Sequence, residues 1–307
     1  MSRPHTDTDK LVGLLSHALD ELDEETYLYY LDVQKVFYYL KKRLDDDNDI
    51  AQQLPYYWYL DGPVSDEVQS TVNRARDLGA VETEKSVDGG LKFKQAPEGP
   101  DLEFTGDSYT AAAAALERVL EEDYDIYADL EQKLGEVYED APYEFQRFFK
   151  FEVMDAVEEY DQGVPWHYST EEISNLIGTA EAYLPVGDQF NEVNKLYSRF
   201  YTVAKRYLEV VDDDRHGSGT FNELAKSFWQ LFCYRLRMVE HDPEYEDDLE
   251  GWESDYMMKK ESFEAEIKQF REFVAQELEG NSDGPTDFQS PQESGWGKVV
   301  EGLQQDN

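Results

Sequence analysis

Apolar positions along the chain alternate between helical and strand spacing in an order that predicts the architecture. Leu11, Leu14, Leu15, Ala18, Leu19 and Leu22 recur at threes and fours and predict an amphipathic helix over residues 10–22. Tyr30, Val33, Phe37, Leu40 and Leu44 repeat the pattern in a second helix from about Tyr27 to Leu44. Leu54-Pro55-Tyr56-Tyr57-Trp58-Tyr59 breaks it, because Pro55 disfavours helix and adjacent aromatics suit a pleated, half-buried surface. A turn at Asp61-Gly62-Pro63 follows, and Ser65 is placed to cap a third helix whose apolar positions are Val64, Val68, Val72, Ala75 and Leu78, closed by Gly79. Val81–Lys85 and Leu91–Lys94 then alternate about a turn at Asp88-Gly89-Gly90, the signal of a β-hairpin.

Beyond the turn-rich Ala96-Pro97-Glu98-Gly99-Pro100 the periodicity is almost wholly helical. Helices are expected over Tyr109 to Leu120, with its five consecutive alanines, over Tyr124 to Tyr138, and from Pro142 through Tyr160. Gly163 to Tyr168 interrupts the run, and Ser169 with Glu172 forms a capping box for a helix ending before Pro185. Phe190, Val193, Tyr197, Phe200, Ala204, Tyr207 and Val211 form the longest regular stripe. Its partner is Phe221 to Val239, the final helix with Trp252, Tyr256, Phe263, Ile267, Phe270, Val274 and Leu278, or the same helix in a second chain. The expected fold class is therefore mainly α: an N-terminal winged helix with a small β-hairpin wing over residues 1–96, then an α-helical bundle or coiled-coil-like domain over 97–280 for dimerisation or partner binding. Residues 281–307, rich in Gly, Ser, Pro, Gln and acids, are expected to form a disordered acidic tail, with Trp296, Val299, Val300 and Leu303 as a small apolar docking island.

Leu31-Asp32-Val33-Gln34-Lys35-Val36-Phe37-Tyr38-Tyr39-Leu40 followed by Trp58-Tyr59-Leu60-Asp61-Gly62-Pro63-Val64-Ser65 resembles winged-helix regulators, and in particular the antitoxin-like Panacea domain. The resemblance covers the first third of the chain. It implies a regulatory or toxin-neutralising module.

The 28 Lys and Arg stand against 69 Asp and Glu, a formal net charge of −41. Acidic disordered chains are short of aromatics, whereas aromatics make up 14 % of this one, so the composition predicts a folded protein adapted to very high salt. At about 1 M salt the Debye length is roughly 3 Å and the carboxylates stop repelling one another. Residues 35–96 are the least acidic stretch, with nine Lys and Arg against eleven Asp and Glu. On the third helix Gln69, Asn73 and Arg76 project to one face, with Arg74 to the side, and these side chains suit adenine and guanine edges. Lys85, Lys92 and Lys94 are the wing's candidate phosphate contacts, or else charges that keep an edge hairpin from aggregating. Lys41-Lys42-Arg43 either complement a helix dipole or touch nucleic acid.

Candidate chemistry adds little. Asp45-Asp46-Asp47-Asn48-Asp49 starts like a calcium loop, but the sixth position is Ile50 and the twelfth Tyr56, so a solvated turn is expected. Cys233 excludes an internal disulfide and reads as a buried core residue. The histidines His5, His17, His167, His216 and His241 are scattered, and Asp212-Asp213-Asp214-Arg215-His216 reads as a solvated loop. No catalytic motif, signal peptide or membrane-length apolar run stands out. The expectation is a non-enzymatic, cytoplasmic regulator, transcriptional or antitoxin-like, with no cofactor or metal and with DNA and itself or another protein as partners. The alternative is a protein-interaction module whose winged-helix domain binds protein and not DNA.

Overall fold

The computed structural model describes residues 7–23, 26–85, 90–97, 99–100, 102, 104–162, 168–210 and 219–278. The turn at Asp88-Gly89, the interruption at 163–167, the Asp212 to His216 cluster and the acidic tail with its apolar island lie outside them. The described residues are mainly helical, and they group into two compact units.

The first unit comprises Met1–Val137 and His241–Glu246, so it continues well past Ala96. Helix α1 (Asp7–Asp20) is followed by a two-residue strand β1 (Leu28–Tyr29), helix α2 (Tyr30–Arg43), a single turn α3 (Asp49–Gln52), a hairpin of β2 (Tyr57–Tyr59) and β3 (Gly62–Val64), and helix α4 (Asp66–Asp77). Strands β4 (Val81–Lys85) and β5 (Leu91–Gln95) form the expected second hairpin, and β1 joins it to give an antiparallel sheet in the order β1-β5-β4. Helix α5 (Asp107–Arg118) runs into a π-helical turn at Val119–Asp123, and all but the last residue of α6 (Leu130–Tyr138) belongs to this unit.

The sequence stripes meet in one core: Leu11, Leu14, Leu15 and Ala18 of α1, Val33, Val36, Phe37 and Leu40 of α2, Val68, Val72 and Ala75 of α4, and Phe93 of β5. The alanines Ala112 and Ala115 with Leu116 bring α5 into that core, which is why the unit extends beyond the wing.

Three local expectations change. The second helix begins at Tyr30 and not Tyr27, because Leu28 pairs with Phe93 and Tyr29 with Lys92 as β1. The helix expected from Tyr124 begins at Leu130. Asp125 Oδ1 accepts from Tyr127 N at 2.9 Å and Asp129 Oδ1 from Gln132 N at 2.9 Å, so a turn and an N-cap displace the first helical turns. Ser65 occupies the N-cap position of α4 with extended backbone, but its side chain does not cap. Instead the amide of Asp66 donates to the Tyr245 hydroxyl at 3.0 Å.

The second unit comprises Tyr138–Glu240 and Asp247–Asn307. Helix α7 (Glu144–Phe148), a π-helical turn at Phe149–Val153 and α8 (Met154–Asp161) form one continuous run, followed by α9 (Thr170–Ala182), α10 (Asn191–Val210), α11 (Thr220–Arg237) and α12 (Leu249–Leu278). The Ser169–Glu172 capping box is formed as expected. The π turn inserts an extra residue into the helical repeat and rotates the buried side from Phe145 and Phe149 to Val153, Ala156, Val157 and Tyr160.

The stripe on α10 is met within the chain. Phe200 stacks on Phe228 of α11 at 5.6 Å between centroids, Tyr197 stands edge-on to Phe228 at 5.0 Å, and Tyr207 lies 5.1 Å from Phe270 of α12. The Tyr197 hydroxyl donates to Ile177 O of α9 at 2.6 Å. A second copy of the chain therefore has no access to this stripe while the unit is folded. Cys233 is fully buried on α11. Among the described residues no helix is long and apolar enough to cross a membrane.

Candidate nucleic-acid interface

Helix α4 is set in place by polar side chains of α2 that reach the backbone just ahead of it. The Gln34 amide brackets Ser65, accepting from Ser65 N at 2.9 Å and donating to Ser65 O at 3.1 Å, so a side chain completes a peptide's hydrogen bonding where no strand is available. The Lys35 ammonium donates to Pro63 O at 2.9 Å. Gly62, immediately before Pro63, has φ +96°, and a Cβ there would stand 2.9 Å from Val137 Cγ1 and 3.2 Å from Lys35 Nζ, so the position requires glycine. On the other side, Asp242 accepts from Tyr56 N at 2.6 Å and its own amide donates to Tyr56 O at 2.8 Å, while the Tyr57 hydroxyl donates to Asp66 Oδ1 at 3.3 Å. Segments 34–35 and 56–66, with Asp242, are thus one hydrogen-bonded assembly that fixes where α4 begins.

Lys35 makes this assembly pH-sensitive. Burial pushes its ammonium down from 10.5 to about 7, partly offset by Asp61. Below about pH 7 both folded and unfolded chains hold the proton, and the folded state bears the cost of a buried cation. Between about 7 and 10.5 the unfolded chain binds more protons than the folded one, so stability rises with pH across that window. Urea melts in molar KCl from about pH 6.5 to 9.5 should show a gain on the order of a few kcal/mol, and Lys35→Met should flatten it. Equal slopes in the two proteins would remove Lys35 as the source.

The outward face of α4 carries the residues singled out from the sequence. Gln69 and Asn73 are half-buried, Arg76 is exposed, and Arg76 makes no ion pair among the described residues. Arg74 is committed elsewhere, its Nε donating to Asp9 Oδ1 of α1 at 2.8 Å, which ties α1 to α4. On the hairpin, register places Glu82 opposite Lys94 and Glu84 opposite Lys92, and both pairs close, at 3.0 Å and 3.3 Å. Lys92 and Lys94 also stand over the Tyr27 ring, at 4.3 Å and 5.8 Å from its centroid. The hydrogen bond from Lys92 holds the Glu84 carboxyl below its usual range, and Glu82 raises Lys94. Lys85, opposite Leu91, is exposed. Asp66, Glu67 and Asp77 are exposed on α4 itself.

Of the seven candidates, Gln69, Asn73, Arg76 and Lys85 are left outward-facing, whereas Arg74, Lys92 and Lys94 are held by carboxylates. Such a surface offers donors and acceptors to base edges but little net positive charge to phosphates. The Lys41-Lys42-Arg43 run is likewise engaged: Arg43 pairs with Glu122 at 2.6 Å and with Asp123, Lys41 with Asp242 at 2.6 Å, and Lys42 lies over the Tyr38 and Tyr39 rings.

The positioning residues Gln34, Lys35 and Tyr245 are invisible to periodicity. One signal was present: two adjacent polar residues, Gln34-Lys35, between Val33 and Val36-Phe37 on a face that should be apolar. Comparison of this chain with protein-family models, with curated proteins and with solved structures finds no match in any of the three.

Proposed function

We propose that this chain is a non-enzymatic regulator that works in a high-salt cytoplasm, transcriptional or antitoxin-like, with its first unit a winged-helix module whose α4 enters a DNA groove. The observation that carries the reading is the order α1, β1, α2, α4, β4, β5 with sheet order β1-β5-β4, in which the helix bearing Gln69, Asn73 and Arg76 leads directly into the hairpin. Because Lys92 and Lys94 are already neutralised by Glu84 and Glu82, recognition rests on base-edge hydrogen bonds and DNA shape, with little counterion release. That division of labour suits molar salt.

The test is selection of DNA from a random library by the full chain in molar KCl. A recovered motif supports the reading, and Arg76→Ala should then weaken binding to it by about 1–3 kcal/mol, roughly five- to 150-fold, and relax preference at one base. Affinity unchanged in that variant would remove α4 as the reading element, and no enrichment with protein shown to be folded would overturn DNA binding.

A second reading is favoured by the carboxylates around the same face. The exposed Asp66, Glu67 and Asp77 on α4 suit a protein partner carrying exposed cations better than a phosphate backbone. Capture of a partner by wild-type protein that is lost on charge reversal of Glu67 and Asp77, with no DNA motif recovered, would select it.

A further inference from the structure

We propose that His17, Glu21 and Glu117 form a binding site for a divalent transition-metal ion of the zinc class, clamping α1 to α5. The three ligand atoms, one from each side chain, all lie within 4.8 Å of one another. His17 lies in the last turn of α1, and Glu21 N donates to His17 O at 3.2 Å, so helical geometry carries through and stacks the two side chains one turn apart on one face. Glu117 comes from the last turn of α5, a hundred residues later, and its Oε1 stands 3.0 Å from His17 Nε2.

Gly13, one turn before His17, lies under α5: a Cβ there would stand 2.6 Å from the Phe104 ring and 2.9 Å from the hydroxyl of Tyr109 of α5, so a larger residue would have to push these side chains aside.

The donor set fits the ion. Zinc binds imidazole nitrogen and carboxylate oxygen at about 2.0–2.2 Å, which puts tetrahedral ligands roughly 3.4 Å from one another, between the spacing of the His17–Glu117 contact and the outer limit of the cluster. An imidazole among the ligands favours zinc, cobalt or nickel over magnesium and calcium, which prefer all-oxygen shells. Glu21 is exposed and makes no side-chain hydrogen bond or ion pair among the described residues, so its carboxylate is available as a third ligand beside the His17–Glu117 contact. A metal uses all three. His17 and Glu117 are partly open to solvent, at 29 % and 47 % of their side-chain area, which gives the ion an entry path and leaves a coordination position for water.

The test uses the full chain after chelator treatment, titrated with Co²⁺ in molar KCl and followed by its visible absorption, with Zn²⁺ competition and thermal unfolding alongside. The expected result is saturable one-to-one binding, displaced by Zn²⁺ but not by excess Mg²⁺, with an upward shift of the unfolding midpoint. His17→Ala and Glu117→Gln should each weaken Co²⁺ binding by about tenfold or more and abolish the thermal shift while leaving the metal-free melt unchanged, since both side chains are partly exposed. Glu21→Gln should weaken binding without touching the His17–Glu117 pair. Absence of saturable binding, or equal affinity in wild type and His17→Ala, which would mean an adventitious ion only, overturns the site.

Discussion

Replacing Phe200 by aspartate should unfold the second unit outright and not simply change how chains associate. Phe200 is fully buried, stacked on Phe228 and close to Phe149 and Tyr197. Losing a buried ring costs about 3–5 kcal/mol, and forcing an unpaired carboxylate into the space adds several more. Against a stability of about 5–15 kcal/mol for an ordinary domain, that sum leaves little of the fold. Far-ultraviolet circular dichroism in about 3 M KCl should show loss of helix and of the cooperative melt, while Phe200→Leu, which conserves most of the volume, should keep both. A Phe200→Asp protein that stays helical but sediments at half the wild-type mass would instead make the α10 stripe a seam between two chains.

The second large effect is expected at Asp32. Its Oδ1 accepts from the Lys133 ammonium at 2.8 Å and the Tyr124 hydroxyl at 2.7 Å, and its Oδ2 accepts from Tyr29 N at 2.8 Å at the start of α2. Both charged side chains are almost wholly enclosed, 3 % exposed for Asp32 and 9 % for Lys133. Asp32→Ala strands a buried ammonium, a buried phenol and a helix-terminal amide together. The loss should be about 3–5 kcal/mol, read as a lower urea midpoint in molar KCl. Lys133→Met added to Asp32→Ala should recover a large part of it, because the stranded charge is then gone, and a cycle built from the four proteins gives the coupling energy. Simple additivity of the two substitutions would show that the pair is not coupled.

High salt bears on these two sites differently. Exposed pairs such as Lys92–Glu84 and Arg199–Glu264 are screened at molar salt and contribute little there. The Asp32–Lys133 pair lies inside the unit, beyond the reach of the salt, so its contribution should persist where the surface pairs fade.

The legible parts of the structure are those in which a residue's partner lies within a few positions along the chain. The stripes of α1, α2, α4 and α10 follow from one-sided burial at a period of 3.6. The β4–β5 hairpin follows from alternation about a turn, the end of α4 from Gly79, and the start of α9 from a capping box spanning four residues. The outward placement of Gln69, Asn73 and Arg76 was readable for the same reason, since facing is a local property of a helix whose buried side is known.

Distant partners were beyond that reach. Strand β1 is only Leu28 and Tyr29, too short for alternation to register, and it exists because β5 lies beside it. Asp9 and Glu82 are ordinary surface acids in sequence. Only the packing of α1 on α4 and the register of the hairpin turn them into the groups that occupy Arg74 and Lys94. Tyr245 caps a helix 179 positions earlier, and His17 meets Glu117 across 100.

Burial, turn chemistry and charge are read locally, so the order of residues alone points to an acidic, mainly helical chain with one hairpin, β4–β5, and a set of amphipathic faces; the β2–β3 hairpin is found only in the structure. Which face meets which, which cations at α4 and the hairpin are paired with carboxylates, and which scattered histidine acquires carboxylate neighbours emerge only from the packing of distant segments. Those outcomes depend on the closure of long loops, whose cost grows only logarithmically with their length and so leaves little trace in local composition.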